Sequence, residues 1–140
     1  MAAIKNEIDG GWLTSVKGLI TAEVFSDFFE MADHLLSNGY KDAAAVIIGS
    51  TLEEHLRQLC IRNSIETTIK ADNAAVAKKA DALNSDLAKA DVYNKLDQKM
   101  VTAWLDLRNK AAHGQYGEYN KEQVETMLRG VNEFCSRTTS

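Results

Sequence analysis

Leu105-Asp106-Leu107-Arg108-Asn109-Lys110-Ala111-Ala112-His113-Gly114 reads as the last turns of an apolar helix stopped by a glycine. Arg108, Asn109 and His113 fall within six positions of one another. Arginine offers a planar fork of donors matched to phosphate oxygens, and histidine as a residue type gives or takes a proton near neutral pH. The stretch therefore marks both a helix terminus and a candidate site for handling a phosphodiester.

Working back from this end, a helix over about Asp91 to Ala112 carries Tyr93, Leu96, Met100, Trp104 and Leu107 as its apolar stripe, widened by Val101 and Leu105. An earlier helix spans Trp12 to Leu36, with Leu13, Val16, Ile20, Val24, Phe28, Met31 and Leu35 spaced by three or four. Ser37-Asn38-Gly39 ends it, because Asn and Gly tolerate the left-handed backbone found at helix stops. The next helix begins near Tyr40 and runs to about Arg62. Its apolar residues Ala44, Ile47, Ile48, Leu52, Leu56 and Leu59 repeat helically, and its first half is apolar nearly all round, so the pattern predicts a central helix. Residues 63–90 are more polar and alanine-rich, with weak periodicity at Val76, Leu83 and Leu87, and read as short helices and loops. After a glycine-tyrosine loop from Gly114 to Asn120, a last helix carries Val124, Met127, Leu128, Val131 and Phe134. Residues 1–10 and 136–140 are expected to fray. Amphipathic helices joined by short connections predict an all-α fold, an antiparallel bundle of four to five helices in one domain.

Composition agrees. A length of 140 residues suits one domain with a real core. Average usage of about 5% would place roughly seven prolines in that length, and there are none. Formal net charge is -4, so no global positive field draws the chain to nucleic acid and any such contact must be local. Cys60 and Cys135 each sit in an apolar helical pattern and read as buried free thiols of a reducing compartment. The two cysteines and His34, His55 and His113 show no paired metal-ligand spacing, so no metal or other cofactor is expected. No segment approaches 18 unbroken apolar residues. A cytoplasmic protein without a membrane span is the expectation.

On a regular helix, positions four apart differ by about 40° and positions five apart by about 140°. Asn109 and His113 can share a polar face with Asp106 and Thr102, whereas Arg108 falls on the side of Val101, Leu105 and Ala112. One chain then aims Arg108 and His113 at one phosphate only if the last turn loosens. The alternative is a two-fold dimer in which paired motifs pool their side chains. Glu53, Glu54, His55 and Arg57 read as a solvated face, with Glu54 and Arg57 as candidate borders of the site beside Asp106 and Tyr116.

These residues resemble the HEPN superfamily, whose motif is an arginine, four to six residues and a histidine, often with a polar residue after the arginine. Arg108-Asn109-Lys110-Ala111-Ala112-His113 has that form. Gly39-Tyr40-Lys41-Asp42-Ala43-Ala44, leading into Ile48-Gly49-Ser50-Thr51-Leu52-Glu53-Glu54-His55-Leu56-Arg57, is similar to the second helix of bacterial members, and Leu83-Asn84 and Trp104 to Asn109 also fit. The resemblance implies a helical bundle, a homodimer, and metal-independent ribonuclease activity with Arg108 and His113 as catalytic residues aided by Asn109. It also allows a non-catalytic module that binds a nucleotide or partner protein, and a place in a toxin-antitoxin or defence system with an antitoxin or nucleotidyltransferase partner. In the nucleotidyltransferase subgroup a tyrosine follows the histidine by two positions; here Tyr116 follows His113 by three.

Overall fold

Residues 23–139 are described by the computed structural model. Helix α1 includes residues 23–37, α2 is Lys41–Arg62, a hairpin pairs β1 (Thr68–Ala71) with β2 (Ala74–Ala77), and α3 is Ala80–Lys89. Helix α4 is Lys95–Ala112, a 3-10 turn follows at Tyr116–Glu118, and α5 is Lys121–Thr139. The fold is mostly helical.

Helix α2 is central, packing against α3, α4 and α5. That explains its apolar pattern: Ala44, Ala45 and Ile48 in the first half and Leu52, Leu56, Leu59 and Cys60 in the second are all buried. Helix α5 also buries the expected positions, Val124, Met127, Val131 and Phe134, with Leu128 half-buried.

Two helices turn differently from their sequence reading. In α1 the buried residues are Phe25, Phe29, Ala32 and Leu36, while Val24 and Phe28 remain 42% and 40% exposed and Met31 is 49% exposed. The expected positions Leu13, Val16 and Ile20 lie outside the described residues. Adjacent positions differ by about 100° around a helix, and α1 offers two apolar stripes one residue apart. The aromatic one goes inward, with Phe25 packing edge-on to His55 of α2 at a centroid distance of 5.9 Å. In α4, Leu96 and Met100 are exposed, and Val101, Trp104, Leu105 and Ala111 form the buried face. Ala112, expected beside Arg108, is exposed and Ala111 takes its place.

The 63–90 segment holds strands as well as the short helix α3, where only short helices and loops were expected. Thr68 pairs with Ala77 and Ile69 with Val76 in an antiparallel ladder. Asp72 and Asn73 close it with φ of 50° and 68°, the paired left-handed residues of a two-residue hairpin turn. Four-residue strands rich in alanine are too short to display alternation, so the turn geometry decides the structure. Further on, buried Asn84 bolts α3 to α4: its amide donates to the Gln98 carbonyl at 3.0 Å and Thr102 Oγ1 at 3.1 Å, and the Tyr93 hydroxyl donates to its Oδ1 at 2.6 Å. Helix α4 starts at Lys95 rather than near Asp91, because the Asn94 side chain caps the Asp97 N–H at 2.8 Å.

The last helix holds its turns through Thr139, where fraying was expected from residue 136. Arg62 Nη1 donates to the Thr139 carbonyl at 3.0 Å, and Thr138 is held by His55. His55, expected on a solvated face, is fully buried. The Thr138 hydroxyl donates to the Phe134 carbonyl at 2.7 Å, so its oxygen accepts from His55 Nε2 at 2.6 Å, which makes the ring the neutral Nε2–H tautomer. Burial, reinforced by the Arg62 charge, lowers the His55 pKa from 6.5 to about 4.

A pH dependence of stability follows. The folded chain holds His55 neutral where the unfolded chain would protonate it, so its contribution is complete above pH 6.5 and is lost as pH falls through about 4. Urea denaturation across that window should show a loss of about 3 kcal/mol attributable to this group. The expected slope is absent in a His55→Gln variant; an equal slope in both proteins would assign it to carboxylates instead.

Candidate functional site

Helix α4 ends in an intact turn. The His113 N–H donates to the Asn109 carbonyl at 2.9 Å, Gly114 N–H to Ala111 at 3.3 Å, and Gln115 N–H to Lys110 at 2.8 Å. Gly114 has φ of +77°, the left-handed residue that this double-bonded stop requires. His113 is therefore the C-cap, with an exposed side chain on the face of Asn109, Asp106 and Thr102, as the spacing predicts. The turn does not loosen, so Arg108 and His113 of one chain stay on different sides of α4.

Arg108 points at α2. Its side chain is 16% exposed and its Nη2 donates to Glu53 Oε1 at 3.1 Å. Glu53 Oε2 accepts from Arg57 Nη2 at 3.0 Å, so two guanidiniums from two helices flank one carboxylate. Gly49 makes this crossing possible: a Cβ there would lie 2.0 Å from Arg108 Cγ and 2.4 Å from its Cβ. Rotation about the first side-chain bond can move Cγ, but Cβ is fixed by the backbone, so the clash at 2.4 Å is relieved only if the helices part. At an open helical site Gly→Ala gains roughly 1 kcal/mol. Here Gly49→Ala should instead destabilise the fold by about 1 to 3 kcal/mol through overpacking, read as a lower denaturation midpoint with unchanged slope. A stabilised variant would contradict the close α2–α4 approach.

The other candidate residues separate into those near Arg108 and those away from it. Asn109 is near: its Oδ1 accepts from Arg108 Nε at 3.2 Å. Arg57 is near through Glu53. Glu54 is not: it is exposed and accepts from Gln58 Nε2 at 3.0 Å. The carboxylate facing Arg108 is Glu53, one position earlier, which the sequence reading left on a solvated face. The i, i+4 spacing of Glu53 and Arg57 was a signal available in the sequence.

Asp106 pairs with Lys110 at 3.3 Å and lines a groove of about 440 Å³ between α4 and the start of α5. Glu118 and Glu122 also line that groove, so its acidic groups outnumber Lys110 and it repels phosphate. The two guanidiniums of Arg57 and Arg108 do not line that groove. Tyr116 is half-exposed, and its carbonyl accepts from Lys41 Nζ at 2.6 Å. Lys41 also lies 3.9 Å from the centre of the Tyr119 ring, and the Tyr119 hydroxyl donates to Asp42. Burial and that bond raise the Tyr119 pKa. These contacts tie the loop after His113 to the start of α2.

Cys60 and Cys135 are buried free thiols, and burial pushes the Cys135 thiol up to about 12, away from thiolate chemistry. Among the described residues no group of three histidine, cysteine or carboxylate side chains is placed to hold a metal ion, and no helix is long and apolar enough to cross a membrane. Comparison with protein-family models gives no match, and comparison with curated proteins and with solved structures gives none either.

Proposed function

We propose that this chain is a HEPN-type protein that works as a homodimeric, metal-independent endoribonuclease, with Arg108 and His113 from each copy meeting in a composite cleft. The observation that carries the reading is the arrangement at the end of α4: a solvent-facing His113 on a rigid cap, and a partly exposed Arg108 fixed by α2 on the other side of the same turn. One helix end supplies both groups in orientations that suit two copies better than one. Apolar side chains for pairing stand exposed on α1, at Val24, Phe28 and Met31, and on α4, at Leu96 and Met100. The first group is bordered by Glu23, Asp27 and Glu30 and the second by Lys95 and Lys99, a complementary set for a second copy of the chain.

RNA carries its own nucleophile. As the 2′-oxygen attacks phosphorus, its proton passes to a base and the bond to the 5′-oxygen breaks; that oxygen takes up a proton. His113 serves one of these transfers. Arg108 stabilises the charge on the phosphoryl oxygens, and Asn109, bonded to Arg108 Nε, orients the guanidinium. Products end in a 2′,3′-cyclic phosphate and a 5′-hydroxyl. The test is RNA turnover by purified wild type beside His113→Ala, with product ends identified. Equal turnover by both would overturn the assignment.

A second reading is a non-catalytic module binding a nucleotide or partner protein through the same face. The existing Arg108–Glu53 ion pair favours it, since an arginine already neutralised is less available to a transition state. Tight mononucleotide binding without RNA turnover selects this alternative.

A further inference from the structure

We infer that Glu53 stands in for a phosphate group, and that Arg57 and Arg108 form a two-guanidinium clamp which a phosphate occupies when Glu53 swings out. The inference rests on the reading of Arg108 as a phosphate-handling residue and adds Arg57 and Glu53 to it. The two arginines come from different helices, yet their Nη2 atoms approach opposite oxygens of one carboxylate at 3.0 and 3.1 Å. Each guanidinium gives the carboxylate one charge-assisted bond through Nη2, the kind of bond by which arginine binds carboxylates and phosphates alike.

Each arginine has support that does not depend on Glu53. The Arg108 stem lies in the gap left by Gly49, and its Nε is held by Asn109. Arg57 Nη2 also donates to the Lys78 carbonyl at 3.5 Å, while the Lys78 ammonium is paired with Asp86 at 2.7 Å. Removing the carboxylate leaves Arg108 held by Asn109 and Arg57 beside the Lys78 carbonyl, with neither guanidinium neutralised by Glu53.

Glu53 is the most exposed of the three, its side chain 29% exposed against 23% for Arg57 and 16% for Arg108, and an i, i+4 pair at the surface holds only weakly. Arg57, Glu53 and Arg108 together carry one net positive charge with Glu53 in place and two positive charges facing the ligand with Glu53 displaced. In an acidic chain this supplies the local cationic site that phosphate contact needs. Glu53 keeps it closed to weak anions and sets a threshold for strong ones.

The experiment measures binding of two probes that cannot be cleaved: a single-stranded oligoribonucleotide with 2′-O-methyl groups, which lacks the nucleophile, and inorganic phosphate. Glu53→Gln keeps the shape of the side chain and removes its charge. The expected result is binding tighter by about tenfold, as for one recovered charge-assisted hydrogen bond, with the log-log salt slope for the strand steeper by roughly one charge. Adding Arg57→Ala to Glu53→Gln should abolish the gain. Tightening for both probes identifies a site for an isolated phosphate, and tightening for the strand alone identifies a backbone site; either supports the clamp. Unchanged or weaker binding of both probes by Glu53→Gln overturns it and leaves Glu53 as a strut for Arg108. Because neither probe reacts, this outcome is read independently of whether His113 supports cleavage.

Discussion

His113→Ala is expected to lower the RNA cleavage rate by about 10² to 10⁴, the usual contribution of a positioned proton-transfer group. The structure makes this a clean test. His113 is exposed at the α4 cap, and its part in the helix stop is made by its backbone N–H to Asn109, which alanine retains. Surface changes of this kind usually alter stability by less than about 0.5 kcal/mol, so a lost rate with an unchanged denaturation curve locates the effect in chemistry. A parallel Arg108→Ala variant is less clean, because it also strands Glu53 beside Arg57 alone. Turnover by His113→Ala at the wild-type rate would end the assignment of a proton-transfer role to His113, whatever Arg108→Ala does.

Phe134→Ala should cost about 3 to 5 kcal/mol, the range for emptying a buried aromatic site. Phe134 is 1% exposed on α5 and meets three rings edge-on: His55 of α2 at 5.8 Å, Tyr93 before α4 at 5.3 Å, and Trp104 of α4 at 6.0 Å. Each edge-on pair adds to simple burial, and together they fasten α5 to the elements on either side. The measurement is a urea midpoint against wild type, with Leu128→Ala as the comparison. Leu128 is on the same helix but only half-buried, and should lose less. Similar losses for the two variants would mean that the aromatic cluster is not the centre of the core.

Much of the helical organisation was legible because it is written in local pattern. Asn38-Gly39 and His113-Gly114 stop α1 and α4 with Gly39 at φ +85° and Gly114 at +77°. The same stop ends α2 and α3 with Ser64 and Asp91 in the left-handed conformation, at φ 57° and 58°. Those residue types do not advertise it, so the expected start of α4, near Asp91, fell on the residue that ends α3. His55 sits among Leu52, Leu56 and Leu59 on a buried face, but a polar residue in such a stripe reads as surface until Thr138, 83 positions away, is seen to satisfy it.

From the amino-acid order alone come the helical class, the centrality of α2, the buried face of α5, and the placement of an arginine and a histidine on different sides of one capped helix end. Tertiary structure decided which of two apolar stripes α1 and α4 bury, and which of two neighbouring carboxylates meets Arg108. Glu53 and Glu54 differ by one step of about 100° around α2. The choice between them is made by α4 crossing at Gly49, joining residues 55 positions apart in the chain. Periodicity records what a helix can bury; only the packing of its neighbours determines the direction from which burial comes.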